Sequence, residues 1–208
     1  MNSFAGKGLL ASIPVAGAAG TGAYFGFTKS SNSAETIQSK LEKEFEGKKR
    51  KVLVSSLDAI WEKYKALYKK KFGNTKGIEE TAIPSWCEAT LKKEYSEKES
   101  SIYSKASELC VVNINTLKAE LEGEGLKFLS FEASADSKWQ TAWTKYNSDK
   151  GDLEVTVLKD SSVNSSTSGG PKLKEWCKAK LEKHMYEDLE EDRALDKVKK
   201  YCVEGRGT

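Results

Sequence analysis

The chain has 208 residues, of which 34 are basic and 31 acidic, so its formal net charge is only +3. The two signs are mixed along the chain, which argues against the one-signed field expected of a nucleic-acid-binding protein. With 38% hydrophobic residues, the chain can bury one moderate core or two small ones. Abundant Lys, Glu, Leu and Ala with only three prolines predict a mainly α fold with at most a minor β element.

The start of the chain carries a hydrophobic segment. Residues 8–27 contain no charged side chain and follow Lys7. At about 1.5 Å rise per residue, a helix of this length just crosses a hydrocarbon core. The segment also fits a secretory signal, because an apolar centre precedes several small residues. We expect residues 1–29 to form an N-terminal hydrophobic anchor helix or a signal segment, with a flexible soluble tail as the third alternative.

Residues 30–51 predict a polar linker and a first amphipathic helix. Ser33 is the expected helix cap, and the helix should end near Gly47. Three apolar side chains at every fourth position mark its buried face: Ile37, Leu41 and Phe45. The basic run at 48–51 is expected to be a solvated helix start, although such a run can also attract phosphates or anionic lipid head groups.

Residues 52–125 are predicted to form the first half of a repeated structure. Apolar residues at threes and fours over 52–72 predict one long helix. Ser85 is the expected cap of the next helix, with Glu88 completing a capping box. Residues 115–122 are expected to prolong the helical hairpin that follows.

Residues 126–208 are predicted to form the second half. Four residues define the buried face of its first helix: Trp139, Ala142, Trp143 and Tyr146. Alternation over 153–157 hints at one strand. The Ser/Gly-rich stretch at 161–170 is expected to be a mobile loop, and Pro171 is expected in the first turn of the closing hairpin.

A Trp-Cys motif occurs twice and indicates an internal duplication. The two copies and the cysteines that follow them are Trp86-Cys87 with Cys110, and Trp176-Cys177 with Cys202. Upstream, Trp143–Tyr146 echoes Trp61–Tyr64 at an offset of 82 residues. The predicted fold is therefore two related helical-hairpin halves that differ by insertions in loops.

All four cysteines belong to this repeat. If each interval folds as two antiparallel helices, its ends return side by side, within reach of a disulfide. We therefore predict disulfides between Cys87 and Cys110 and between Cys177 and Cys202, in an oxidising compartment. Four reduced, buried cysteines are the alternative. Zinc is a weaker alternative because the chain lacks close Cys-x-x-Cys pairs, and we expect no metal and no cofactor.

No catalytic residue is predicted. The one histidine, His184, lies on a charged helix, where a solvated residue is the usual outcome. Acidic pairs such as Glu190-Glu191 are likewise expected to be solvated, and the sequence has no nucleophile elbow, phosphate loop or His-Glu-x-x-His motif. Four tryptophans are predicted to pack in the core as structural aromatic residues rather than to line a ligand cleft: Trp61, Trp86, Trp143 and Trp176.

Several of these features together carry a family resemblance, and they span most of the chain: residues 8–27, Trp61–Tyr64, Trp86-Cys87, Cys110, Trp143–Tyr146, Trp176-Cys177 and Cys202. In this order they resemble the expanded paralogous families of uncharacterised membrane-associated proteins of haemotropic mycoplasmas. The resemblance implies a small membrane-associated or surface protein of a wall-less bacterium living on red cells, with a role in host interaction or antigenic diversity. It implies no role for any individual residue.

We therefore expect a non-enzymatic protein, membrane-anchored or exported, that serves surface display or host interaction. Its partners would be the membrane, through residues 8–27, and a host-cell or other protein, but not nucleic acid. The expected location is the cell membrane with the main domain extracellular, or else secretion. Two alternatives remain: a carrier of a small apolar ligand in a tryptophan-lined cleft between the halves, and a cytoplasmic-facing membrane scaffold with four free thiols.

Overall fold

The computed structural model describes residues 34–73 and 75–205. This part of the chain is mainly helical, with eight α-helices and one two-stranded sheet. The helices are α1 (Ile37–Glu44), α2 (Ile60–Phe72), α3 (Ile83–Leu91), α4 (Ser100–Leu109), α5 (Leu117–Gly123), α6 (Asp136–Asp149), α7 (Ser166–Glu182) and α8 (Ala194–Tyr201). The strands are β1 (Arg50–Val52) and β2 (Val111–Asn113), which pair antiparallel.

The predicted anchor or signal at 8–27 lies outside the described residues. Within the described ranges, none of the helices is both long and apolar enough to cross a bilayer.

The described residues bury two separate hydrophobic cores. The first core is built by α1 to α4 with the sheet, and its largest fully buried side chains include Trp61 and Tyr68. The second core is built by α5 to α8, and Trp139 and Tyr146 are fully buried in it. Helix α5, which the sequence pattern attached to the first hairpin, packs in the second core through Leu117 and Leu121.

The helix predicted over 52–72 begins at Ile60, later than expected. Val52 ends β1, and Ser55 then forms a turn that stops a helix from starting there. The Ser55 carbonyl accepts hydrogen bonds from the Trp61 Nε1 (2.9 Å) and from the Asp58 backbone N–H (3.2 Å). The Ser55 hydroxyl also accepts a hydrogen bond from the Leu57 N–H (3.2 Å), and local bonds of this kind between a serine side chain and the backbone compete with a helix. The basic run at 48–51 was predicted to start a helix. That prediction is wrong, because the last two residues of the run belong to β1.

Two predicted helix caps are wrong in the first half. Helix α1 begins after Thr36, not Ser33, and Thr36 forms a reciprocal capping box with Ser39. Helix α3 begins at Ile83, so Ser85 is already helical and the helix has no side-chain cap. Pro84 in its first turn needs no hydrogen-bond partner for its nitrogen, which suits this start.

Two predictions fail in the second half. Residues 153–157 form no strand, because they belong to short 3-10 turns around Val155, whose N–H donates to the Tyr146 hydroxyl at 3.0 Å. Helix α7 begins at Ser166 rather than near Pro171, since Ser165 and Ser168 form a capping box inside the stretch predicted as a loop.

Equivalent hydrogen bonds recur in the two cores. The Trp61 Nε1 donates to the Ser55 carbonyl at 2.9 Å, and the Trp139 Nε1 donates to the Ser130 carbonyl at 2.8 Å. Trp61 and Trp139 thus make the same kind of bond, whereas the Trp143 Nε1, which the sequence pattern aligns with Trp61, has no hydrogen-bond partner among the described residues. Trp139 and Trp143 lie one helical turn apart in α6, and both are buried.

Helices α6 and α7 pack unusually closely because Gly169 and Gly170 face α6. A Cβ atom on Gly169 would lie 1.9 Å from the Trp143 Nε1, and one on Gly170 would lie 2.9 Å from the Gln140 backbone nitrogen. The Trp143 indole is buried against this surface, and its Nε1 has no hydrogen-bond partner among the described residues. The close packing of α6 against α7 therefore leaves the buried Trp143 N–H without a hydrogen bond.

The substitution Gly169→Ala tests this packing. We expect it to lower the free energy of unfolding by about 1–3 kcal/mol, because the added methyl group must displace the Trp143 indole. Gly123→Ala is the matched control, since a Cβ at this helical glycine would meet no atom within 4 Å. Urea denaturation followed by circular dichroism measures both; equal stability of the two variants would contradict the close-packed interface.

Candidate functional site

The predicted cysteine pairs lie at disulfide distance. Cys87 pairs with Cys110 between α3 and the end of α4, and Cys177 pairs with Cys202 between α7 and the end of α8. All four cysteines are 0% exposed, so each bridge lies inside a core. The helical-hairpin geometry inferred from the spacing accounts for both pairs.

The four predicted structural tryptophans are not brought together. Trp61 and Trp86 pack with the first core, and Trp143 and Trp176 are buried in the second. Trp86 is the partly exposed member, and the Lys105 Nζ lies 5.4 Å from the centre of its ring. Their arrangement stabilises two cores and offers no shared aromatic surface.

The two cores meet at a seam, and the ion pairs across this seam all have the same direction of charge. Each ion pair that the structure describes across it has its base on the first core and its acid on the second. These pairs are Arg50–Glu120 (3.7 Å), Lys63–Glu187 (3.2 Å), Lys70–Asp188 (3.2 Å) and Lys70–Asp192 (4.0 Å). Tyr186 adds an apolar contact, because it packs against the first core from the segment between α7 and α8. This segment, residues 183–193, is thus the main link between the cores.

His184 belongs to the same link. Its Nδ1 lies 3.0 Å from the Glu187 Oε1, and its ring stacks on Tyr186 with centroids 5.0 Å apart. Its backbone forms an isolated β-bridge with Thr116 at the start of α5. The predicted helical position of His184 is wrong, because α7 ends at Glu182. Its side chain is 39% exposed and contacts Glu187 and Tyr186, the two neighbours that reach the first core.

Glu191 organises a buried polar network behind this segment. Its Oε1 accepts hydrogen bonds from the Lys197 Nζ (2.8 Å), the Thr156 N–H (2.8 Å) and the Thr156 hydroxyl (3.0 Å). Its Oε2 accepts one from the Trp176 Nε1 at 2.9 Å. The side chains of Glu191 and Lys197 are only 9% and 7% exposed, which makes this a buried ion pair.

Burial alone would raise the pKa of the Glu191 carboxyl. Hydrogen bonds from Lys197, Thr156 and Trp176 outweigh that effect and hold the pKa below its usual value.

The segment of residues 183–193 also contains two non-glycine residues with positive φ, Glu190 (61°) and Arg193 (53°). Such backbone angles are disfavoured, so the network around Glu191 holds the segment in a conformation that it would not adopt alone.

Sequence reasoning treated Glu190-Glu191 as an ordinary solvated pair. The structure shows that Glu190 is exposed, whereas Glu191 is sequestered. No local pattern distinguishes the two carboxylates, because the donors to Glu191 come from three other parts of the chain.

A shallow, open cavity of about 580 Å³ lies at one edge of the seam, and Lys70 is its one lining residue from the part of the chain that builds the first core. Charged side chains dominate its wall, including Lys70, Glu154, Lys159, Asp188 and Glu191. Most of these charges are already paired with one another. Among the described residues, no group of His, Cys, Asp and Glu side chains has the arrangement needed to hold a metal ion.

Comparisons with protein-family models, curated proteins and solved structures found no match. The functional hypotheses therefore rest on the contacts within the chain itself.

The variant Glu191→Gln tests the buried network. It removes the countercharge of Lys197, so we expect the free energy of unfolding at pH 7 to fall by about 3 kcal/mol. Asp192→Asn is the control, because the neighbouring Asp192 side chain is 98% exposed and should contribute less than about 0.5 kcal/mol.

The same variant makes a prediction about pH. Because the folded-state pKa of Glu191 is depressed, its stabilising effect is present above the unfolded pKa of about 4.3 and is lost as the pH falls through the folded value. The stability difference between wild type and Glu191→Gln should therefore shrink on acidification below about pH 4. A difference that stayed constant from pH 7 to pH 3 would rule out an ionised Glu191.

The two bridges should contribute similarly to stability, since they close loops of 23 and 25 residues. We expect Cys177→Ala/Cys202→Ala and Cys87→Ala/Cys110→Ala each to lower the free energy of unfolding by about 3 kcal/mol in the chain-entropy model. Denaturation without reductant measures this. A negligible loss in either double variant would show that its core does not depend on the bridge.

Proposed function

We propose that the chain is a non-enzymatic, membrane-anchored or exported protein in which two duplicated helical units form a stable platform for surface display or host interaction. The observation that carries the proposal is the buried disulfide in each unit. Structural disulfides persist in oxidising compartments, so they favour a domain outside the cytoplasm. The uncharged segment at 8–27 supplies a route to that location, as an anchor or as a signal.

Matching backbone contacts support the duplication. After the helix caps Thr36 and Thr116, the first N–H of α1 donates to the Lys93 carbonyl (2.9 Å), and that of α5 donates to the Lys183 carbonyl (2.7 Å). Before each tryptophan turn, the Leu53 N–H donates to the Cys110 carbonyl, and the Leu129 N–H donates to the Cys202 carbonyl. Each unit therefore has a capped helix, a short strand-like contact, a tryptophan helix and a disulfide-closed hairpin, in the same order.

In a platform of this kind, the two cores provide stability and the connecting segments provide the surface for display. The duplicated contacts lie in or beside the cores, whereas the connecting segments differ between the units. Residues 183–193 form a longer connection than residues 92–99, and this longer connection supplies the acids of three of the four ion pairs at the seam. Loops on a rigid scaffold are where binding functions usually reside.

No specific observation favours the other two hypotheses. A carrier with a tryptophan-lined cleft would need the tryptophans to face a common space, but they pack in two different cores. A cytoplasmic-facing scaffold would require the cysteines to be reduced in the cell.

Protease shaving of intact cells tests the proposed location. Trypsin added outside should cleave the exposed lysine-rich surface of the protein, as detected by an antibody to the carboxyl-terminal half. Cleavage of a known cytoplasmic protein should occur only after lysis. A chain that survives intact while known surface proteins are cut would contradict display.

A further inference from the structure

We propose that the seam is an electrostatic latch between two separately folded units. The first unit comprises the described residues of 34–114, and the second comprises the described residues of 115–205. When the ion pairs of the seam are screened, the units turn apart about residues 114–115 while each of them stays folded. This device goes beyond the display function proposed above and does not rest on it.

The backbone and the helices make their contacts within each unit rather than across the seam. The closely packed helix pairs all lie inside one unit, for example α3 with α4 and α6 with α7. Among the described residues, no backbone hydrogen bond or strand pairing joins 34–114 to 115–205. Each unit also has its own core and its own buried disulfide. Neither unit therefore needs the other to complete its fold.

The contacts across the seam are made by side chains that are open to solvent. The side chains of Lys63 and Lys70 are 59% and 44% exposed, and each lies 3.2 Å from its acid, Glu187 or Asp188. Ion pairs at exposed positions contribute little to stability and weaken as salt is added. Tyr186 adds an apolar contact, but it is only partly buried. Units that are joined by a small polar interface are expected to move relative to one another.

The acidic side of the latch is held in shape without help from the first unit. Glu191 fixes the segment of residues 183–193 through Lys197, Thr156 and Trp176, all of which belong to the second unit. The basic side is equally independent, because α2 buries its aromatic side chains in the first core and carries its lysines on the exposed side. Both surfaces are thus formed before they meet, so the seam can open and close without unfolding.

The chain crosses from one unit to the other over a very short stretch. The Ile114 N–H donates to the Lys49 carbonyl at 3.1 Å, in the first unit, whereas the Asn115 carbonyl accepts a hydrogen bond from the Met185 N–H at 2.9 Å, in the second. A bond from the Asn115 N–H to the Asn113 side-chain oxygen (3.0 Å) spans this point. The hinge is therefore the link between residues 114 and 115, where a change of backbone angles turns one unit against the other.

Hydroxyl-radical footprinting of the full, disulfide-bonded chain tests the latch, because it measures the accessibility of individual side chains. We expect Tyr186 to be oxidised several-fold faster when sodium chloride is raised from about 0.05 M to about 1 M. Tyr103 should not change, since it packs against Tyr95 within the first unit. The buried Trp61 and Trp139 should stay protected at both salt concentrations, because both cores remain closed.

The double variant Lys63→Gln/Lys70→Gln removes both lysines of the latch. It should show the fast oxidation of Tyr186 already at low salt. Lys69→Gln/Lys76→Gln is the matched control, because it loses the same charge from lysines that pair with acids inside the first unit. This control should behave like the wild type.

Three results would overturn the proposal. The first is oxidation of Tyr186 that stays slow at high salt or in Lys63→Gln/Lys70→Gln. The second is loss of Trp61 or Trp139 protection together with the opening, which would make the seam part of the folding unit. The third is a carbodiimide cross-link between Lys70 and Asp188 that joins isotope-labelled to unlabelled chains in a mixture, which would assign the seam to two copies of the chain.

The failure of this proposal would leave the protease-shaving result unaffected, so the two proposals can be judged separately.

Discussion

Each half of this small protein depends on a buried disulfide that ties the first helix of a hairpin to the end of the second. Each bridge lies in a core that also contains buried tryptophan and tyrosine side chains. In the chain-entropy view, closing such a loop removes many conformations from the unfolded state, and it does so once for each core. Neither half then needs a large apolar interface with the other.

The link between the halves is accordingly polar. Basic side chains of the first core meet acidic side chains of the second, and Tyr186 supplies an apolar contact at the seam. The segment that carries these acids has unfavourable backbone angles and is held by the buried pair of Glu191 and Lys197. A buried ion pair is a poor source of stability compared with apolar packing, but it is sensitive to geometry. Its role here is to hold one loop in one conformation, which aligns the acids with Lys63 and Lys70.

Sequence reasoning predicted the features that depend on regular spacing. The cysteine intervals and the apolar stripes indicated two helical hairpins, and the pairs Cys87–Cys110 and Cys177–Cys202 follow from that geometry. Features set by local serine chemistry were missed. Ser55 stops a helix that periodicity alone extended to Val52, and Ser165 starts a helix inside a stretch whose composition is typical of a loop.

Features that depend on distant contacts could not be predicted. The shared hydrogen-bonding role of Trp61 and Trp139 is visible only through their carbonyl partners, and Glu191 is distinguished from Glu190 only by donors on other segments. The exposed Leu57 likewise fitted the helical pattern, and only the folded turn shows that it points away from the core.

Disulfides close both hairpins of this structure. Because the cysteines are buried, the decisive measurement is the mass of the protein after denaturation and thiol labelling in the absence of reductant. We expect no added label without reductant and four labels after reduction, because all four cysteines are paired. Four labels without reductant would contradict both disulfides and would favour a cytoplasmic-facing scaffold instead.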